Sequence, residues 1–201
     1  MSIVLFFMSL FLAVPLAAGT REYSQHSPET VGEPKAAPEA VVTAGNARFT
    51  VLTPQMIRME WSEDGRFEDR ASLAIINRRL PVPEFKTHKA HGRLVLKTSA
   101  LKLTYKGNES FSKDNLEVEF TTAGNRSVWR PGMSPDGNLM GTARTLDEAD
   151  GRHLPKDSLE LGLLSRDGWS VIDDSHSYLF DETGWVTPRL TGNRQDLYLF
   201  A

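Results

Sequence analysis

The chain contains no cysteine. That absence excludes disulfides, thiolate zinc sites and cysteine nucleophiles together. Positive charge is in short supply: 23 Lys and Arg stand against 26 Asp and Glu, a formal charge of −3. Such a balance offers no large positive field, so duplex nucleic acid is not an expected partner. Helical periodicity is missing too. No window longer than about ten residues keeps its apolar residues at helical spacing, which removes bundles and alternating α/β folds. No internal repeat recurs at a propeller or solenoid period. The length of 201 residues fits one domain, or one sandwich with a tail. It cannot also hold an eight-stranded β/α barrel, which alone needs roughly 250 residues.

The first segment is the one long apolar run. Residues 3–18 are apolar apart from Ser9, short of the ~20 residues that span a bilayer. Small residues Ala17, Ala18 and Gly19 follow, so 1–19 reads as a secretory signal peptide with cleavage after Ala18 or Gly19. The mature protein is expected to be secreted, or periplasmic in a bacterium, with no membrane attachment after cleavage. Residues 20–40 are rich in Pro, Glu and Ser and poor in large apolar side chains. Such a segment cannot bury enough surface to offset its ordering entropy, so it reads as a disordered linker. Asn108-Glu109-Ser110 and Asn125-Arg126-Ser127 are glycosylation sequons.

From residue 41 to 201 the apolar residues alternate in short runs. Ile57, Met59 and Trp61 share one face while Arg58, Glu60 and Ser62 take the other. Leu101, Leu103 and Tyr105, then Leu116, Val118 and Phe120, repeat the pattern. This period predicts half-buried strands. Further strands are expected at 48–52, 93–98, 127–130, 159–164, 169–173, 177–180, 185–187 and 196–200. Turn signals such as Asp64-Gly65, Asp167-Gly168 and Thr183-Gly184 separate them. The expected fold is all-β, an antiparallel β-sandwich of about eleven strands.

The stretch from 138 to 200 carries a family resemblance. It contains Gly141-Thr142-Ala143-Arg144, then Leu164-Ser165-Arg166-Asp167-Gly168-Trp169, then Asp173-Asp174-Ser175, and closes on Asp196-Leu197-Tyr198-Leu199-Phe200. This order resembles the N-terminal domain of glycoside hydrolase family 31, the retaining α-glycosidases. The opening strands, around 47–54 and 57–61, resemble it loosely. The resemblance implies a galactose-mutarotase-like super-sandwich that supports a catalytic β/α barrel and hydrolysis of α-linked sugars in the full-length relative. The family's two barrel aspartates have no counterpart here. A retaining glycosidase needs two carboxyl groups roughly 5–5.5 Å apart, so no catalytic residue is assigned and the chain alone is expected to be inactive. No cofactor is implied.

What carries over is a substrate-lining loop matching 142–152. Arg144, Asp147, Glu148 and Asp150 supply its charged groups, of which Arg144, Asp147 and Asp150 are the expected sugar contacts. Trp169, after an Asp-Gly turn, is a candidate stacking platform, as are Trp129 and Trp185, against the simpler reading of core or interface. The expected partners are an α-linked carbohydrate and the missing barrel. The alternative is a non-catalytic carbohydrate-binding sandwich. His88 and His91 lie three apart, which on a strand turns them to opposite faces and makes a poor metal pair; no metal site is assigned. A mutarotase-like pairing of His153 or His176 with Asp174 is a third, weaker reading.

Overall fold

In the computed structural model the described residues are 32–122, 124–141, 159–189 and 192–201. Among the described residues twelve strands run in chain order. They are β1 (Val41–Ala44), β2 (Ala47–Thr53), β3 (Met56–Ser62), β4 (Lys86–Ala90), β5 (Arg93–Lys97) and β6 (Leu101–Lys106). Then come β7 (Leu116–Thr122), β8 (Asn125–Trp129), β9 (Ser170–Asp173), β10 (Leu179–Phe180), β11 (Val186–Thr187) and β12 (Arg194–Phe200). The first sheet has the order β1-β2-β3-β12-β9 and the second β4-β5-β6-β7-β8, while β10 and β11 form a small separate ribbon. Every pairing is antiparallel. The fold is an all-β antiparallel sandwich.

The alternation in sequence explains why the two five-stranded sheets meet. Phe49, Val51, Ile57, Met59, Trp61, Leu197 and Leu199 project from the first sheet into a core shared with Leu94, Leu96, Leu103, Tyr105, Val118, Phe120 and Trp129 of the second. Phe49 and Tyr105 face each other across the sheets with ring centroids 5.4 Å apart, and Phe111 meets Tyr105 edge-on at 5.4 Å. Full burial of a side chain of this size contributes about 1.5–3 kcal/mol. Trp61 Nε1 adds a polar tie by donating to the carbonyl of Asn108 at 2.8 Å.

Two strands were not expected from the pattern. β1 is short and partly exposed, and β4 is exposed along nearly its whole length. Neither edge strand buries an alternating set of large apolar residues, so the periodic signal is weak. The β4–β5 hairpin does have a local signature: His91 and Gly92 both take positive φ, at 50° and 68°, as a two-residue type I′ turn requires.

One expected strand is absent. Residues 159–164 are irregular, although Leu159, Leu161 and Leu163 alternate. No continuous ladder forms there; scattered backbone bonds are supplemented by Asn138, whose Oδ1 accepts from the Gly162 and Met140 amides at 2.9 and 2.8 Å and whose Nδ2 donates to the Gly162 carbonyl at 2.8 Å. A Cβ on Gly162 would lie 2.5 Å from the Met140 carbonyl oxygen. The close approach needs glycine, and a side-chain bracket together with a few backbone bonds satisfies the backbone without a regular strand. Within the expected linker, residues 32–40 lie against the sandwich. Arg78 and Arg79 amides donate to the Glu33 carbonyl, a 3-10 turn forms at Pro38–Ala40, and Ala40 is buried.

Candidate functional site

The face of the first sheet turned away from the core was expected to meet solvent at Arg58, Glu60 and Ser62. It is buried instead. Arg58 is 1% exposed and Glu60 3%, because the segments around 66–80 and 174–189 fold across β3 and β12. Alternation reports that two faces differ; it does not report what covers the second one.

Charge makes that cover specific. Arg58 donates to Asp196 through Nε at 2.8 Å and Nη2 at 2.7 Å, and lies 3.0 Å from Glu60. Arg48 grips Glu60 through two nitrogens at 2.6 and 2.9 Å. Both guanidinium groups also donate to the Glu68 carbonyl. Arg189 reaches Asp196 and Asp174, each at 3.1 Å. Arg78 donates to the Tyr198 hydroxyl at 2.6 Å and to the carbonyls of Arg70 and Pro34.

Burial works against the Arg58 charge, but Glu60 and the Asp196 hydrogen bonds outweigh it and raise its pKa well above the ordinary value. Burial likewise pushes Asp196 upward, and the Arg58 contacts more than reverse this, so its carboxyl lies below the ordinary range. Asp174 is different. It is fully buried, and desolvation raises its pKa against the nearby Arg189 charge.

These ties hold an apolar rim in place. Ser72 bridges to Leu179, the Leu73 amide donates to the Tyr178 carbonyl, and the Phe180 amide donates to the Ala71 carbonyl. β10 returns through an Asp181 turn, in which Oδ1 accepts from the Thr183 and Trp185 amides, and pairs with β11. The ribbon and the irregular segments beside it expose Leu73, Ile76, Tyr178, Val186 and above all Trp185, which is 76% exposed. A second apolar group gathers Leu139 with Leu161, Leu163 and Leu164, joined by the Leu139 amide donating to the Leu164 carbonyl. Large side chains exposed in groups are uncommon on monomers and mark contact surfaces.

The sequence candidates fall unevenly on this geometry. Arg144, Asp147, Glu148, Asp150 and His153 lie outside the described residues. Trp169 is half-buried and packs against the core, its ring 6.0 Å from Phe120. Trp129 is buried at 1% exposure and donates to the Met133 carbonyl. Of these tryptophans Trp185 presents the most open face. His176 is exposed while Asp174 is committed to Arg189. His88 lies on β4 and His91 in the following turn. Arg78 and Arg189 were missed. A lone arginine in an irregular segment carries no periodic signal, and only the fold brings both onto the carboxylates of β12 and its neighbour.

Among the described residues, no helix is long and apolar enough to cross a membrane. No protein-family model matches the chain, and no curated protein shows significant similarity to it.

Proposed function

We propose that the chain is the non-catalytic sandwich domain of a secreted carbohydrate-active protein, of the kind that supports the barrel in family 31 α-glycosidases. The observation that carries this reading is the exposed rim of Leu73, Ile76, Tyr178, Trp185 and Val186, held in place by buried arginine–carboxylate pairs. A rigid apolar rim on a charged underlay suits docking of a second domain better than chemistry. The carboxylates beneath it, Glu60, Asp174 and Asp196, are occupied by arginines, so none is assigned as a catalytic acid or nucleophile. The residue order between 138 and 200 supports the family, and Arg144, Asp147 and Asp150 remain its proposed substrate contacts.

Sequencing the transcript across the codon for Ala201 tests the reading. Continuation into a barrel with two catalytic aspartates supports it; a stop codon there overturns the supporting role. The alternative, a free-standing carbohydrate-binding module, is favoured by one observation, the open face of Trp185. Quenching of tryptophan fluorescence by α-linked gluco-oligosaccharides, lost in Trp185→Ala, supports that alternative.

A further inference from the structure

We infer that the outer face of the second sheet binds an anionic polysaccharide. Lys86 of β4 lies directly opposite Lys97 of β5, which lies opposite Lys102 of β6. Two rows further on the same face, beyond the uncharged Val95–Thr104 pair, Arg93 of β5 lies opposite Lys106 of β6. Directly opposed like charges destabilise an antiparallel pair, and adjacent strands lie only about 4.8 Å apart. Two such rows on neighbouring strands concentrate positive charge in a chain whose formal charge is −3.

Internal carboxylates cover only one side of this face. Glu119 takes Lys102 and Arg126, and Glu117 takes Arg130. Lys86, Arg93, Lys97 and Lys106 form no ion pair with a described residue, and all four are exposed. The surface is also grooved. A depression of about 700 Å³ beside His88 and Val95 shares Arg93 and Lys106 with one of about 570 Å³. That second one shares Lys102 and Glu119 with a third of about 200 Å³. The three run across the sheet, with unpaired cations along the first two and Lys97 at the third. Lys113 and Asp114 stand at the rim of the middle one.

The charge calls for a polyanion, and the lining selects its class. Single-stranded nucleic acid is held by aromatic platforms that stack successive bases, and the strand residues on this face include no Phe, Tyr or Trp. Duplex readers place a helix or ribbon in a groove; this face is a shallow sheet surface. Lysine ammonium groups are compact point charges and match carboxylate or sulfate groups spaced along a chain. The Thr104 hydroxyl lining the groove suits a sugar hydroxyl. This inference does not rest on the docking rim, which belongs to the other sheet, so either can fail without the other.

The test is calorimetric titration of the full chain with heparin, as the sulfated probe, and polygalacturonate, as the carboxylated one. Neutral dextran and a single-stranded oligonucleotide serve as comparisons. The expected result is binding of at least one acidic glycan, weakening by roughly tenfold or more from ~50 to ~200 mM salt, as ion-driven association does. Lys97→Glu with Lys106→Glu abolishes it while circular dichroism stays unchanged; Lys97→Gln with Lys106→Gln, a milder pair, reduces it in the same direction. Absence of binding to both acidic glycans, equal binding to dextran, tighter binding to the oligonucleotide, or indifference to the glutamine pair overturns the inference.

Discussion

Arg58 and Asp196 join β3 to β12 through two parallel hydrogen bonds, 2.8 and 2.7 Å long, on the side of the sheet away from the core. Both residues are almost fully buried. This pair is the hub from which Glu60, Arg48, Arg189 and Asp174 are reached, so the cover over the first sheet depends on it.

Removing one partner strands the other charge. Arg58→Met is expected to destabilise the fold by about 3–5 kcal/mol, because Asp196 and Glu60 then face each other without it. Adding Asp196→Leu to that variant is expected to recover part of the loss, since a well-packed apolar pair replaces a buried carboxylate left with Arg189 as its remaining counter-charge. Urea denaturation of the single and double variants measures both. A double variant no more stable than Arg58→Met removes the hub role.

The pH dependence follows from two aspartates with opposite shifts. Asp196 lies below its ordinary value of 3.8, so the unfolded chain binds the proton more tightly. Its contribution is present above that value and is lost as pH falls through the lower folded value. Asp174 lies above 3.8, so its carboxyl favours folding most below that value and the gain disappears as pH rises through the higher folded value. Melting temperatures across the acid range are expected to show a steeper fall on the acid side for wild type than for Asp196→Asn. Asp174→Asn is expected to remove a decline on the neutral side. Identical profiles in all three proteins contradict the assignment.

Gly45 joins β1 to β2 with φ +57, and a Cβ there would come 2.1 Å from the Asn108 side-chain oxygen. Gly45→Ala is expected to destabilise by more than about 1 kcal/mol, through both backbone strain and the clash. Asn108→Ala in the same chain removes the clash but not the strain, so it should restore only part of the loss in thermal melts.

Two tryptophans offer an internal contrast. Trp129→Ala leaves a cavity in the shared core and is expected to cost about 3–5 kcal/mol. Trp185→Ala is expected to change stability by less than about 0.5 kcal/mol while reducing self-association in analytical ultracentrifugation, since it removes the most exposed member of the rim. A large stability loss at Trp185 places it in the folded core and removes the rim as a contact surface.

The alternation of apolar residues at 57–61, 101–105 and 116–120 was enough to predict an antiparallel sandwich, because period-2 burial is a property of the strand itself. The same local physics placed most turns. Edge strands β1 and β4 escaped because an edge buries little, and 159–164 misled because leucine alternation says nothing of a glycine's close approach to a carbonyl.

The sequence by itself determined which residues can lie inside, since transfer of apolar surface from water depends on side-chain type and strand period. Tertiary structure alone decided the fate of the polar face. It buried Arg58 and Glu60 under segments distant in sequence, brought Arg78 and Arg189 onto Asp174, Asp196 and Tyr198, and aligned lysines of three strands in one row. Those outcomes depend on Coulomb and hydrogen-bond energies that vary with distance and burial, and distance between residues far apart in the chain exists only once the sheets have paired.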